Sequence, residues 1–339
     1  MPRRILVSFG VDVDAVAGWL GSYGGENSPG DISRGMFAGE VGTPRLLKLF
    51  KKYGIKTTWF IPGHSLDTFP KEMAAVRDAA HEIGLHGYSH EVRGRFSFLH
   101  GEANSNLSKN PTSMTIEQQR EILEHTHAQL TEFCGGKAPV GSVAPWWEVS
   151  KEGTNMLLDF GIRYGMLLFP SSLSVLELIG IACTDHSNMA HDCQPYWLRD
   201  QDTWTKIDYK AQAKTWMKPL QRGKETGMVE IPASWDLDDL PPLIKDSANS
   251  HGFVDVRVIE QKWKDMFTYF YREEQDGFCF PITIHPDVSG RPHVLLMLER
   301  FIEWVNEHDG IEWVPMVEIE KDFRARTAVP EGAMMPKGL

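Results

Sequence analysis

The spacing of apolar and polar positions changes along the chain, and each change marks an element. Residues 5–9, Ile-Leu-Val-Ser-Phe, form a short and nearly continuous apolar run between Arg4 and Gly10. Such a run suits a strand buried on both faces. It predicts a strand over residues 4–10. Similar runs predict strands over 57–61, 84–86, 140–144, 161–164, 228–232, 278–285 and 311–315. Between them apolar residues recur three and four apart, the helical period. That predicts helices over 43–53, 71–83, 115–133, 152–160, 256–274, 292–307 and 317–324. Thr115 and Gln118 have the spacing of a capping box. Gly54, Gly84, Gly135, Gly161 and Gly310 fall where helices should stop. Strands alternating with helices imply a mainly parallel α/β sheet or a (β/α) barrel. In such folds the chemistry gathers at the carboxyl ends of the strands. No internal repeat, low-complexity linker or domain boundary interrupts the pattern.

Composition narrows the class. The 339 residues are 42% apolar and 24% charged, and the mean hydropathy is -0.31, which excludes wholesale disorder and fibrous architectures. The net charge is -11 and no basic block appears, which argues against a nucleic-acid partner. The first residues pass directly into a strand, so no secretory leader is expected. Cys134, Cys183, Cys193 and Cys279 have no CxxC spacing, as expected of reduced thiols in a cytoplasmic protein. Residues 165–184 challenge this picture, because 20 residues there carry one charge, Glu177, and approach transmembrane length. Pro170, Ser171, Ser172, Ser174 and Gly180 break the stretch, and no Lys/Arg cluster flanks it. No membrane partner is expected.

Three short stretches carry candidate chemistry. The first strand ends in Asp12-Val13-Asp14. Carboxylates at i and i+2 on an extended chain point the same way, and they repel unless a cation or proton intervenes. The bland alternative is two solvated acids in a loop. His86 and His90 follow the strand at 84–86, with Gly87 and Ser89 between them disfavouring a helix. Their spacing suits one metal ion, although isolated histidine pairs are often unrelated. One carboxylate and two imidazoles leave coordination positions open, which marks a catalytic rather than a structural site. His285 ends the apolar run 280–284 and is placed for acid or base work, with a capped surface strand as the alternative. Each stretch alone is weak; three at strand ends are stronger. The glycines of 18–30 do not match GxGxxG opening a helix, so phosphate cradling is not expected and a flap over the site is.

With these residues in place, the chain resembles the polysaccharide deacetylase (NodB-homology, carbohydrate esterase 4) family. It is most similar to a subgroup of Helicobacter-type peptidoglycan deacetylase-like proteins. The strings that carry this are GVDVDAVAGWLGSYGGE, HGYSHE, APWWE, IDY, WMKPL, LDDLPP and TIHPDVSGRP. The resemblance implies an α/β fold, a distorted (β/α) barrel of about seven strands, over residues 1–328 with a tail at 329–339. It implies a hydrolase of non-peptide carbon–nitrogen bonds acting on an N-acetylated sugar or small amide. Asp12 would be the base, Asp14, His86 and His90 the ligands of a divalent metal, zinc being the expected ion, and His285 the general acid. A small-molecule or amino-sugar substrate and a homo-oligomer are expected. The family's third motif holds an Arg where this chain has Val143, so Asp12 loses that partner, and Trp146, Trp147 and Glu148 shape the pocket instead. That favours a compact substrate, and a cyclic imide or ureide hydrolase is the first alternative. A non-catalytic ligand-binding member of the fold is the second.

Against the subgroup pattern, residues 92–109 and 165–184 are extra. Val92 must be encoded by a codon beginning GT and Lys109 can end in AG. Both segments are therefore expected to be retained introns, exposed or poorly packed, with lineage-specific loops as the alternative.

Overall fold

The computed structural model describes residues 3–91, 114–147, 153–160, 184–185, 187–245 and 253–336. Among these, nine strands form one curled sheet: β1 (Arg4–Asp12), β2 (Thr58–Ile61), β3 (Glu82–Leu85), β4 (Gly141–Ser142), β5 (Thr184–Asp185), β6 (Tyr196–Asp200), β7 (Lys224–Glu230), β8 (Gly277–Ile284) and β9 (Ile311–Trp313). Their order is β6-β7-β5-β4-β3-β2-β1-β8, with β9 also paired to β1. All pairings are parallel except β6 with β7. The two ends of the sheet meet without a regular ladder: Cys279 N–H donates to the carbonyl of Cys193 (3.0 Å), just before β6. This is the expected distorted (β/α) barrel, with nine described strands rather than about seven.

β1 explains the opening apolar run. It pairs with β2 at its carboxyl end, with β9 at its amino end and with β8 along nearly its whole length. Every residue of it after Arg4 is buried. Outside β8 pack the helices Val256–Glu273 and Pro292–Val305, which bring Phe267 and Phe301 against Phe280, with Trp263 edge-on to Phe301. Fully burying one such side chain contributes roughly 1.5–3 kcal/mol. Phe9, at the middle of β1, stacks on Trp313 at 5.2 Å.

Several boundaries differ from the sequence reading. The helix expected over 71–83 stops at Asp78, and Glu82 begins β3. The reason is tertiary: Thr57 N–H donates to His81 Nδ1 (3.1 Å) and Glu82 N–H to the Thr57 carbonyl (3.0 Å), which ties this stretch to the start of β2. The expected flap at 18–30 is instead the end of helix Ala15–Gly21, a turn and the start of helix Pro29–Phe37. Its glycines serve close packing, since a Cβ on Gly21 would lie 2.0 Å from the Ser89 carbonyl oxygen. Part of the expected tail is attached to the sheet, because Met334 N–H donates to Glu225 O and Gly227 N–H to Met334 O. The strand at 161–164 and the segment 92–109 lie outside the described residues, as does 165–183. Thr184, the last residue of the second extra segment, pairs in β5 with Gly141 and Val229. No helix among the described residues is long and apolar enough to cross a membrane.

Candidate active site

The site lies at the carboxyl ends of the central strands. β1 delivers Asp12, and Val13 N–H extends the register by donating to Phe60 O (3.0 Å), so Asp14 follows on a fixed backbone. β3 ends at Leu85 and His86 comes next. The loop from His86 to His90 is shaped by Glu91, whose carboxylate accepts from the N–H groups of Tyr88 (3.1 Å) and Ser89 (2.8 Å). β8 ends at Ile284 and His285 follows. Asp12, Asp14, His86, His90 and His285 are all buried.

Their polar atoms converge. His86 Nε2 lies 3.0 Å from Asp14 Oδ1, and His90 Nε2 lies 3.3 Å from Asp14 Oδ2. His285 Nε2 lies 3.6 Å from Asp14 Oδ2 and 3.8 Å from Asp12 Oδ2. Asp14, His86 and His90 each offer a donor atom, all within 4.8 Å of one another.

The donor set fits a divalent metal. His86 Nδ1 is engaged with the Val143 carbonyl at 2.8 Å, so as donor it leaves the Nε2 lone pair for the site. His90 Nδ1 is engaged by Ser22 Oγ. Burial, reinforced by the neighbouring imidazoles, pushes the His90 imidazole down to about 3, so the ring stays neutral and able to serve as a metal donor. Burial alone would raise Asp14, but His90, His285 and His86 outweigh it and hold the carboxyl ionised. Asp12 is pushed up to about 6 by burial, only partly offset by His86 and His285, and its Oδ1 has no hydrogen-bond partner. Burial opposes charge on His285 too, yet Asp14, Asp239 and Asp238 lift it well above the ordinary imidazole value. A deprotonated base beside a protonated acid suits hydrolysis of an amide.

Sequence reasoning missed several residues. Asp239 accepts from His285 Nδ1 (2.8 Å) and from its backbone N–H (3.0 Å), and Ser289 Oγ donates to the same carboxylate. Asp238 lies beside it, pushed up to about 8 by burial. The acidic pair in LDDLPP was the available signal, because two adjacent acids before Pro-Pro imply a fixed turn. Tyr23 donates to Asp14 Oδ2 and was hidden in the stretch read as a flap. Trp235 packs on Trp147 with ring centroids 4.5 Å apart, and it had no pattern to announce it.

Trp146, Trp147 and Trp235 wall a small cavity of about 50 Å³ with the acids and imidazoles around it. Val143, in the position where the resemblance puts an Arg, is buried and lends the site its carbonyl only. Glu148 lies outside the described residues. The backbone is strained around the pocket: Ala15, His90, Trp146 and Trp147 all have left-handed φ, between 46° and 57°. Such residues cost on the order of 1–3 kcal/mol each and persist where surrounding structure holds them.

A family model described as polysaccharide deacetylase matches residues 34–165. The chain is 51% identical over 328 residues to a peptidoglycan deacetylase of Helicobacter pylori, covering 96% of this chain and 98% of that one. It is 36% identical over 339 residues to a peptidoglycan deacetylase-like protein of Gibberella zeae, covering 97% of this chain and 89% of that one. A solved allantoinase shares the fold, with a TM-score of 0.67 at 21% identity over 96% of this chain and 91% of that one.

Proposed function

The chain belongs to the polysaccharide deacetylase family, whose members are hydrolases of non-peptide carbon–nitrogen bonds, and from that premise we propose that it removes the acetyl group from an N-acetylated amino sugar with the help of a divalent metal. One observation carries this reading. The donor atoms of Asp14, His86 and His90 converge within 4.8 Å on a cavity that also holds Asp12 and His285.

Asp14, His86 Nε2 and His90 Nε2 would hold the ion, with zinc the expected species. When bound, it supplies Lewis-acid chemistry for the amide carbonyl and lowers the pKa of a water. The rest falls to the chain. Asp12, with one carboxylate oxygen free of hydrogen bonds, takes a proton from the attacking water. His285 Nε2 gives its proton to the leaving nitrogen as the C–N bond breaks. The products are acetate and a free amine. Asp239 holds the other ring nitrogen of His285, so the proton sits on the side that faces Asp12 and Asp14. The indole walls keep bulk water from the acetamide.

The apolar Val143 and the narrow, indole-walled cavity also favour a second reading, in which the substrate is a small cyclic imide or ureide. The test is a panel of N-acetylglucosamine oligomers, succinimide and allantoin, run on metal-loaded and metal-stripped protein. Amine release from the amino sugars by loaded protein alone is expected. Turnover of succinimide or allantoin without amino-sugar turnover moves the assignment to the second reading. Stoichiometric metal with no turnover at all leaves a ligand-binding member of the fold.

A further inference from the structure

The helices Val256–Glu273 and Pro292–Val305 flank β8 and run against it, so both begin at the site end of the barrel. Their first turns line an open groove of about 790 Å³. The amino end of a helix carries about half a positive charge, and two such ends meet here. The lining adds five basic side chains and two acidic ones, on a chain whose net charge is -11.

Three of the five cations are paired: Arg34 with Asp31 (3.1 Å), Arg257 with Asp255 (3.3 Å) and Arg300 with Glu260 (2.6 Å). Arg291 and Lys245 have no carboxylate within ion-pair distance among the described residues. Arg291 is nevertheless fixed. Its guanidinium lies over the Phe37 ring, 3.5 Å from the centroid, and its Nε donates to the Asp287 carbonyl (3.3 Å). The two terminal nitrogens remain as a held fork for a planar oxyanion. Burial and the neighbouring Arg34 and Arg45, opposed by Asp287, press Arg291 below the ordinary guanidinium value, so an anion beside it is favourable. Arg34 also donates to the Lys245 carbonyl (2.6 Å), which holds Lys245 at the same groove.

The two acids do not cancel this charge. Asp255 caps its own helix by accepting from Arg257 N–H (2.9 Å). Asp287 is 6% exposed, and burial pushes its carboxyl up to about 7. Its Oδ2 accepts from Ala15 N–H (3.3 Å), while its Oδ1 has no hydrogen-bond partner. An unsatisfied buried oxygen in a groove wall calls for a ligand group to complete it. A hydroxyl both donates and accepts, so it suits either protonation state of Asp287.

One layer of side chains divides this groove from the catalytic cavity. Leu240 and Ile244 face the cavity, Leu243 and Val288 face the groove, and all four belong to or pack on one apolar cluster. The groove is therefore a place of its own beside the metal donors.

We propose that it is a second binding site, for a small hydroxylated organic acid whose carboxylate oxygens are held by Arg291 and Lys245. The experiment is calorimetric titration of malate into the full-length, metal-loaded wild type, Lys245→Gln, Arg291→Gln and Asp14→Ala proteins. Wild type should bind malate, and each groove variant should bind it at least about 10-fold more weakly. Asp14→Ala, which removes a metal donor, should bind it as tightly as wild type. Dimethyl malate, with the hydroxyl but no charge, should give no heat. Lys245 is exposed, so its variant tests the site even if Arg291→Gln fails to fold. Malate that competes with a carboxylate-bearing amino sugar assigns the groove to the substrate's own acid group, and simultaneous binding assigns it to a separate organic acid. Equal malate affinity in wild type and Lys245→Gln overturns the proposal, as does loss of binding in Asp14→Ala, or no binding by wild type up to about 10 mM. The readout is binding heat, so a failure to deacetylate amino sugars would leave this result standing.

Discussion

Asp239 grips His285 twice, accepting from the ring Nδ1 at 2.8 Å and from the backbone N–H at 3.0 Å. A ring held this way cannot flip, and its second nitrogen faces the two site carboxylates. Asp239→Asn keeps the shape and removes the charge that sustains the imidazolium. It should lower kcat by about 10²- to 10⁴-fold, the usual range for a misplaced acid or base, with a much smaller change in KM. Steady-state kinetics of the variant decide the matter. Unchanged kcat would show that Asp239 does not set the protonation of His285.

Removing the metal should abolish turnover and lower thermal stability together, because a ligand held only by the folded state stabilises it by mass action. Chelation followed by stoichiometric re-addition should restore both. Asp14→Ala should lose the metal and the thermal shift. Metal analysis with differential scanning calorimetry measures this, and full activity in metal-free Asp14→Ala protein would dismiss the mechanism.

Gly21 tests the scaffold rather than the chemistry. A Cβ there would meet the Ser89 carbonyl oxygen at 2.0 Å and the His90 carbonyl oxygen at 2.5 Å. Backbone must move, and it is the backbone that aims His90. Gly21→Ala should destabilise the protein by about 1–3 kcal/mol and weaken metal affinity as well. Denaturant titration beside metal titration separates the two losses.

His81 offers a pH test away from the metal ligands. Burial, helped by Lys56, pushes it down to about 4, against about 6.5 in an unfolded chain. Between these values the unfolded state binds more protons than the folded one. Stability from this residue is therefore complete above pH about 6.5 and declines as pH falls toward 4. In His81→Gln that portion of the decline should vanish. Equal pH slopes in the two proteins, from urea unfolding across the window, would rule this out.

The extra segments 92–109 and 165–184 are open to a direct check. If they are retained introns, as we propose, the mature transcript lacks both, and a chain without them folds with an equal or higher Tm and binds metal. Transcript sequencing and calorimetry are the measurements. A transcript encoding both segments, with loss of folding on deletion, would make them part of the enzyme.

Much of this was legible in the sequence because β1 and β8 are buried on both faces and so read as unbroken apolar runs. Asp12, Asp14 and His285 stand out as the polar residues that end them. The helices Thr43–Tyr53 and Val256–Glu273 were equally plain, since each buries one stripe. What failed to show depends on tertiary fit. The glycines near Tyr23 looked like a loose flap because close packing and flexibility use the same residue. β5 has two described residues, too short for any period. Asp239 acts through a residue 46 positions away, and no local pattern encodes that distance.

The left-handed backbone at Ala15, His90, Trp146 and Trp147 has a consequence for the protein's history. Glycine would relieve the strain at each position and would delete a ligand or a pocket wall at three of them. A chain selected for robustness alone would have taken glycine there. That it has not done so places these positions where stability and activity pull apart, and stabilising substitutions found at them should arrive with lost function.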